Sequence, residues 1–544
     1  MTPTTARGGR WTPMLFIGLG ISMVIMDATI VNVSLPSIIR ELGIDSVDAE
    51  WVNAIYSLVF AALLIIFGRI GDRFGRRRVF ILGAIVFGVA SMLAARTDSG
   101  NALIAARALQ GVGGAMMSPT SLSLINATYQ GRARTIAFAI YGSIIGGMAA
   151  VGPLLGGWLT EYHSWRWAFY INVPVAVVLV VGSLLYVPES RDERDRPGTD
   201  VVGALLSAVG IGLLVFGLIE GRNYGWWSAL GEQRLLGVDY PAGGISPVPV
   251  SFAVSAVALV LLYVVETRRE RRQRTVLLDF DLFRIRTFGF GSLAALIVSL
   301  GEFGILFSLP LFLQSALGFE ALGAGAILAT LALGAFLAGP TAAQLALRRS
   351  PRFVARLGLV LEIVGIVGLG ATISVDVSIW VMCAWLVVYG AGVGYASAQL
   401  TGLILVDVPV RKSGQASGTQ STARQVGSAL GTAILGTILF VGLANDTQSR
   451  VSEVPGVSPA QAATVAETVQ ASAGTVIPSL AQQPGGEPVA QAAEVAFADS
   501  IRRTAFAAAG FVFIGLLATL ALPPGRSEED VEQAEETLEE TEDA

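Results

Sequence analysis

The sequence is short of the side chains on which most enzymes depend. It holds one cysteine, Cys383, one histidine, His163, and one lysine, Lys412. A single cysteine excludes an internal disulfide and leaves the redox compartment unreadable. One histidine and one cysteine exclude the usual ligand sets for zinc or an iron–sulfur cluster, so neither a metal nor a cofactor is expected. A phosphate-cradling loop needs glycine before its lysine. Lys412 instead follows Val410-Arg411, so the chain is not expected to hydrolyse nucleotides or act as an enzyme. Charge is scarce too, at 14% of residues against about 25% in soluble domains.

What remains is apolar. Hydrophobic residues make up 53% of the chain and mean hydropathy is +0.65. A chain of 544 residues with so little charge cannot cover itself with polar surface, and a lipid bilayer is its natural solvent. The net charge of −5 is concentrated in a Glu/Asp-rich tail, which reads as solvated and disordered.

A membrane-spanning helix needs about 20 apolar residues. Fourteen segments qualify, from 13–36 to 501–522. The first is too long for a signal-peptide core and carries Asp27, so it is kept in the mature chain. Basic residues test the map independently. With the amino terminus inside, the cytoplasmic loops and termini hold 25 of the 36 Arg and Lys residues and the outer loops hold 8. Dropping one span would scramble this asymmetry, so both termini are expected in the cytoplasm. Trp51, Trp165, Trp167, Trp226 and Trp227 gather near outer ends, as an aromatic belt does. Two stretches between spans are long. Residues 221–249 read as a polar outer loop, and 446–499, rich in Ala, Gln, Ser and Pro, reads as short surface helices or as nothing stable.

Several short motifs follow in order. The first span holds Met26-Asp27-Ala28-Thr29-Ile30-Val31-Asn32-Val33-Ser34-Leu35-Pro36. The loop after the second holds Gly68-Arg69-Ile70-Gly71-Asp72-Arg73-Phe74-Gly75-Arg76-Arg77. The fourth holds Arg107-Ala108-Leu109-Gln110-Gly111, and the fifth holds Gly142, Gly146, Gly152-Pro153 and Gly156-Gly157. Trp165-Arg166-Trp167-Ala168-Phe169-Tyr170-Ile171-Asn172-Val173-Pro174 precedes the sixth. Together they resemble the fourteen-span drug:proton antiporter branch of the major facilitator superfamily, over residues 14–443 and again at the last span.

The resemblance implies an all-α polytopic fold of two six-helix bundles around a central cavity, with two extra helices between them. A cytoplasmic amino terminus (1–12) then leads into an N-terminal bundle at 13–187. Two inserted helices with linkers follow at 188–286. The C-terminal bundle covers 287–522 and contains the outer segment 446–499, and the acidic tail is 523–544. The second half departs from the pattern. Where it should echo the Gly-Asp-Arg loop, it reads Gly339-Pro340-Thr341-Ala342-Ala343-Gln344 and then Arg348-Arg349, with no aspartate.

Four charged residues inside spans are candidates for proton coupling: Asp27, Arg107, Glu302 and Glu362. A charge mid-membrane costs about 2.5–3.5 kcal/mol on insertion scales and so marks a site. Asp27 can load and release a proton, or it can be a static anchor. Arg107 stays charged. The family assigns its counterpart to proton transfer, and the alternative is a structural arginine that bonds neighbouring carbonyls. Glu302 and Glu362 lie outside the motifs and can attract a lipophilic cation or take the proton.

Gly68, Asp72, Arg73, Gly75, Arg76 and Arg77 form a candidate cytoplasmic gate, in which Asp72 accepts from an arginine or from helix-end N–H groups in one state only. The bland alternative is a topogenic basic loop. Gly142, Gly146, Gly152, Pro153, Gly156 and Gly157 form what the family calls the antiporter motif, and tight packing is part of its role. Asn32, Gln110 and Gln314 are the polar residues expected at a substrate cavity. A run from Pro409 through Gly414, Gly418, Arg424, Gln425 and Gly427 opens span thirteen.

The expected activity is export of lipophilic, often cationic, small molecules across the cytoplasmic membrane in exchange for protons. The expected partners are protons, substrate and lipid, with no nucleic acid, and the protein is expected to be a monomer. Two other readings compete. One is export of a single amphiphile (an antibiotic, siderophore or lipid) handed to an envelope partner through 446–499. The other is a non-transporting sensor or scaffold, which would need a soluble signalling domain that the sequence lacks.

Overall fold

In a bilayer each backbone N–H and C=O must be satisfied within its own segment, so long apolar runs fold as helices. The computed structural model describes residues 9–44, 46–192, 200–235 and 238–522. The first eight residues and the acidic tail fall outside the described residues. Seventeen α-helices are described. The first seven are α1 (Thr12–Leu42), α2 (Ser46–Phe74), α3 (Arg76–Arg96), α4 (Gly100–Thr128), α5 (Gly131–Tyr162), α6 (Trp167–Tyr170) and α7 (Asn172–Tyr186). Then come α8 (Val201–Tyr224) and α9 (Pro247–Arg271), at the positions expected for the two inserted helices. The second half holds α10 (Arg286–Ser315), α11 (Ala321–Arg348), α12 (Pro351–Thr372), α13 (Ile379–Ile404), α14 (Ser413–Ser452), α15 (Pro459–Ala471), α16 (Ile477–Ala481) and α17 (Glu487–Ala518).

Thirteen helical segments among the described residues are long and apolar enough to cross a membrane, with α6 and α7 counting as one. The 29-residue α4 is not among them. Its Gly-Val-Gly-Gly and Ser-Pro-Thr-Ser-Leu-Ser stretches are small or polar, and most of its length is buried against α2, α3 and α14. A helix shielded by protein has no need of lipid-facing apolar side chains.

The membrane face at which α1 begins is here the near face, and the opposite one is the far face. Helix ends follow ordinary capping chemistry. Ser99, Asp200, Ser246 and Ser350 accept backbone N–H groups at the starts of α4, α8, α9 and α12. The α2–α3 turn needs Gly75, whose φ is +112° and whose position faces the Glu189 carboxylate.

Apart from α5, helices α1–α7 pack chiefly on one another, as do α10–α14 and α17. The two groups meet along two seams. One is α5 against α11 and α13, and the other is α2 against α14. Helix α8 lies over the second seam, where Ile211, Val215 and Leu218 pack with Ala61 and Ile65 of α2 and with Ala429 and Ala433 of α14.

Residues 221–249 contain a short antiparallel hairpin, β1 (Gln233–Leu235) and β2 (Val238–Tyr240), with Arg234 opposite Asp239. At 40 residues, α14 is about 60 Å long, twice the hydrocarbon thickness of about 30 Å. It projects beyond the far face with the start of α17, and α15 and α16 fold between them. Of the two expectations for 446–499, the structure has the helices. Val469, Ile477 and Phe497 are buried there, Phe497 meets Phe312 edge-on at 5.9 Å, and Arg503 pairs with Asp446 at 2.7 Å.

Candidate functional site

Four polar side chains from three helices converge on Asp27 in the first half. Arg107 Nη1 donates to Asp27 Oδ2 at 2.5 Å. Gln110 Nε2 donates to Oδ1 at 3.0 Å, and Asn172 Nδ2 to the same oxygen at 2.7 Å. Ser91 Oγ accepts from both amides, at 2.8 and 3.3 Å. Arg107 is satisfied as well. Its Nε donates to Val52 O at 3.1 Å, Nη1 donates to Gln110 Oε1 at 2.9 Å, and its guanidinium lies 4.4 Å from the Tyr56 ring centre. Asp27, Arg107, Gln110 and Asn172 are all buried. The cluster ties α1 to α2, α3, α4 and α7, and its formal charges cancel.

The second half holds a different arrangement. Glu302 on α10 faces Arg424 on α14 at 3.5 Å. Glu362 on α12 feels the charges of both. It is wholly buried, and neither of its carboxylate oxygens has a hydrogen-bond partner, nor does Glu302 Oε1. The Tyr389 hydroxyl donates to the Glu302 main-chain carbonyl at 3.2 Å. Gly392 leaves the space that the Glu362 stem fills. Two carboxylates beside one guanidinium carry a net charge of −1. One bound proton brings the trio to zero.

On the near face, Asp72 joins the two halves. Asp72 Oδ1 accepts from Arg76 Nε and Nη2, at 3.0 and 2.7 Å. It also reaches across the α2–α14 seam. Gly414 N donates to Oδ1 at 2.8 Å and Gln415 N to Oδ2 at 3.0 Å. Helix α14 has no side-chain cap of its own, so Asp72 caps it from the other half of the molecule. Arg76 Nη2 adds a bond to Val410 O at 2.5 Å. Beside it, Asn126 on α4 donates to Ser413 Oγ at 2.7 Å. Gly68 lies directly on the Gly414 backbone, and Gly418 on Leu64 and Ile65.

The glycines of α5 divide between two neighbours. Gly152 and Gly156 lie on Thr29 and Ile30 of α1. Gly142 packs on Ala398, Gly146 on Ala335 and Val393, Gly157 on Leu322, and Pro153 lies beside Gly325. The helix thus touches its own half with one set of small residues and the opposite half with another.

Several residues lie elsewhere than the motifs suggested. Gln110, expected at a substrate cavity, is buried inside the Asp27 cluster, because its amide donates to Asp27 and Ser91 and accepts from Arg107 there. Gln314 is exposed and donates to Pro310 O one turn back, so it joins neither cluster. The Asn32 side chain lies outside the described residues. Among the gate arginines, only Arg76 holds Asp72. Arg77 turns to Val187 O and Glu189, and Arg73 lies over Phe74. Ser91, Tyr56 and Gln415 had no signal of their own, since each is a common residue in an apolar or polar run. Asn172 stood inside a quoted motif and Arg424 inside another, but nothing in either spacing links them to Asp27 or Glu302.

The chain is similar to several known proteins. Residues 17–432 match the family model of the Major Facilitator Superfamily. The multidrug efflux pump LfrA of Mycolicibacterium smegmatis is 32% identical over 86% of this chain and 88% of its own. The tetracenomycin C resistance and export protein of Streptomyces glaucescens is 29% identical over 89% and 86%. The puromycin resistance protein of Streptomyces alboniger is 33% identical over 79% and 82%. Among solved structures, the human organic anion transporter MFSD10 aligns with a TM-score of 0.58 at 13% identity, over 94% of this chain and all of that one. A bacterial homologue of the lysosomal transporter Spinster gives 0.52 at 18%, over 94% and 97%.

Proposed function

Because the chain belongs to the Major Facilitator Superfamily, a family of multi-pass membrane transporters, we propose that it is a proton-coupled antiporter exporting lipophilic, often cationic, small molecules. The observation that carries the coupling is the charge count at Glu302, Glu362 and Arg424. A buried carboxylate without a partner is costly while ionised. The trio therefore takes up one proton when closed to water and gives it up when a cationic cargo or an aqueous path reaches it. The Asp27–Arg107 pair needs no proton in this state and serves as the rigid counterpart.

The near face is the cytoplasmic one in this reading, supported by the basic loops there, and α4 completes fourteen spans. The Asp72 latch then shuts the cytoplasmic side, and its release opens the way for cargo to enter. Relatives bearing the names of multidrug efflux, tetracenomycin C resistance and export, and puromycin resistance support a drug or antibiotic as cargo.

Transport into liposomes under an imposed pH gradient tests the reading. Accumulation of a lipophilic cationic dye is expected to follow the gradient and to vanish with a protonophore. Dye movement indifferent to the gradient would falsify the coupling.

The folded far-face cap favours a second reading, delivery of one amphiphile to an envelope partner. Removing residues 459–481 is then expected to stop transfer of that cargo and spare dye efflux. Equal loss of both counts against it.

A further inference from the structure

The start of α14 is what Asp72 holds across the seam, and it lacks a cap of its own. When Asp72 withdraws, the N–H groups of Gly414 and Gln415 lose their acceptors. An uncapped first turn frays. The turn must nevertheless be in place for the latch to close again.

One residue outside every motif grips the same turn from the other side. Asp279 lies in the connector between α9 and α10 and is buried. Its Oδ2 accepts from Lys412 Nζ. Its main-chain N–H donates to Gln415 Oε1 at 3.2 Å. Its Oδ1 accepts from Asp281 N at 2.9 Å, which fixes the connector's own turn. Gln415 therefore touches both aspartates, giving its N–H to Asp72 and taking one from Asp279. The connector is itself wedged into the seam, since Leu277 and Leu278 pack with Ala61 and Ile65 of α2 and Ala429 of α14. Leu277 N donates to Glu266 Oε2 on α9 at 2.9 Å, which ties the connector back to the inserted helices.

We infer that Asp279 is a positioning residue of the near-face gate: it holds the Val410–Gln415 turn formed while Asp72 is withdrawn, so that the latch can close again. Asp279 lies in the connector that leads directly into α10, and Lys412 leads into α14. Those two helices pack on each other within the second half, so this grip survives when the halves part. The inserted helix pair thereby contributes a part of the gate, which is more than filling space between bundles. Burial pushes the Asp279 carboxyl up, but the Lys412 ammonium and the Asp281 N–H more than offset this, and the group stays below its ordinary range. It remains ionised, as a grip on Lys412 requires.

The inference rests on the gated-exchanger reading, and the test separates the two. Full-length protein in nanodiscs, with Cys383→Ser, carries spin labels at Arg78→Cys and Arg349→Cys, exposed positions on the near face of the two halves. The label-to-label distance reports the closed fraction. Asp279→Asn and Lys412→Gln are each expected to lower the closed-to-open ratio about fivefold. Together they should do no more than either alone. The swap Asp279→Lys with Lys412→Asp should restore the ratio. Rescue by the swap is a readout that loss of packing would not give. If Asp72→Asn opens the gate but Asp279→Asn and Lys412→Gln leave it closed, the positioning role is wrong and the gate stands. If Asp72→Asn has no effect either, the gate reading itself fails.

Discussion

Asp27 and Glu362 are both carboxylates inside apolar helices, and they differ in how many donors surround them. Asp27 has Arg107, Gln110 and Asn172. Glu362 has none. Their substitutions should therefore behave oppositely. Asp27→Asn strands a buried guanidinium, which costs about 3–5 kcal/mol. The variant is expected to unfold at a clearly lower temperature in detergent, and adding Arg107→Gln should recover much of the loss. Unfolding at the wild-type temperature would show that Arg107 finds another partner. Glu362→Gln replaces an unpartnered acid by a neutral isostere, so stability should hold or rise. Gradient-driven efflux should drop by about tenfold or more, the size of an ordinary coupling energy. A Glu362→Gln transporter that still follows the pH gradient would place the proton elsewhere, with Glu302 next in line. Both acids were recognisable in the sequence as intramembrane charges. Their surroundings were not, because Asn172, which donates to Asp27, and Arg424, which faces Glu302 beside Glu362, lie tens of residues away and only folding brings them near.

Two helices show what an element adds. Helix α5 reads in the sequence as a glycine-rich span, and the spacing alone allows ordinary packing. The tertiary structure assigns Gly152 and Gly156 to α1, and Gly142, Gly146 and Gly157 to the opposite half. Gly142→Val would drive a branched side chain into the Ala398 backbone across the seam. Overpacking of this kind costs about 1–3 kcal/mol, and here the cost falls on one arrangement of the halves. The variant is expected to fold, with normal helix content by circular dichroism, and to lose most transport. Wild-type transport rates would mean that the α5–α13 contact is not used in the cycle. Helix α4 teaches the converse. Its low apolarity weakens it as a span by composition, and burial on three sides is why it can be so polar.

At the scale of the molecule, the pattern of basic residues and the latch make a joint prediction about sidedness. Trp380, at the far-face start of α13, is highly exposed, and so is Arg411 at the near face. In intact cells lacking Cys383, a membrane-impermeant thiol reagent is expected to label Trp380→Cys and spare Arg411→Cys. The reverse labelling would invert the protein in the membrane and make the latch an outer gate.

The sequence by itself determined that this chain lives in a bilayer, roughly where its helices run, which loops carry positive charge and that Asp27, Arg107, Glu302 and Glu362 fall inside spans. These follow from local composition, because the cost of exposing apolar or charged groups is set residue by residue. Which acid is neutralised by an arginine, which glycine touches which half, and which aspartate caps α14 were decided only by the tertiary structure. Hydrogen bonds and close contacts between residues as far apart as Asp72 and Gly414 depend on helix packing, and packing leaves no periodic mark on the chain.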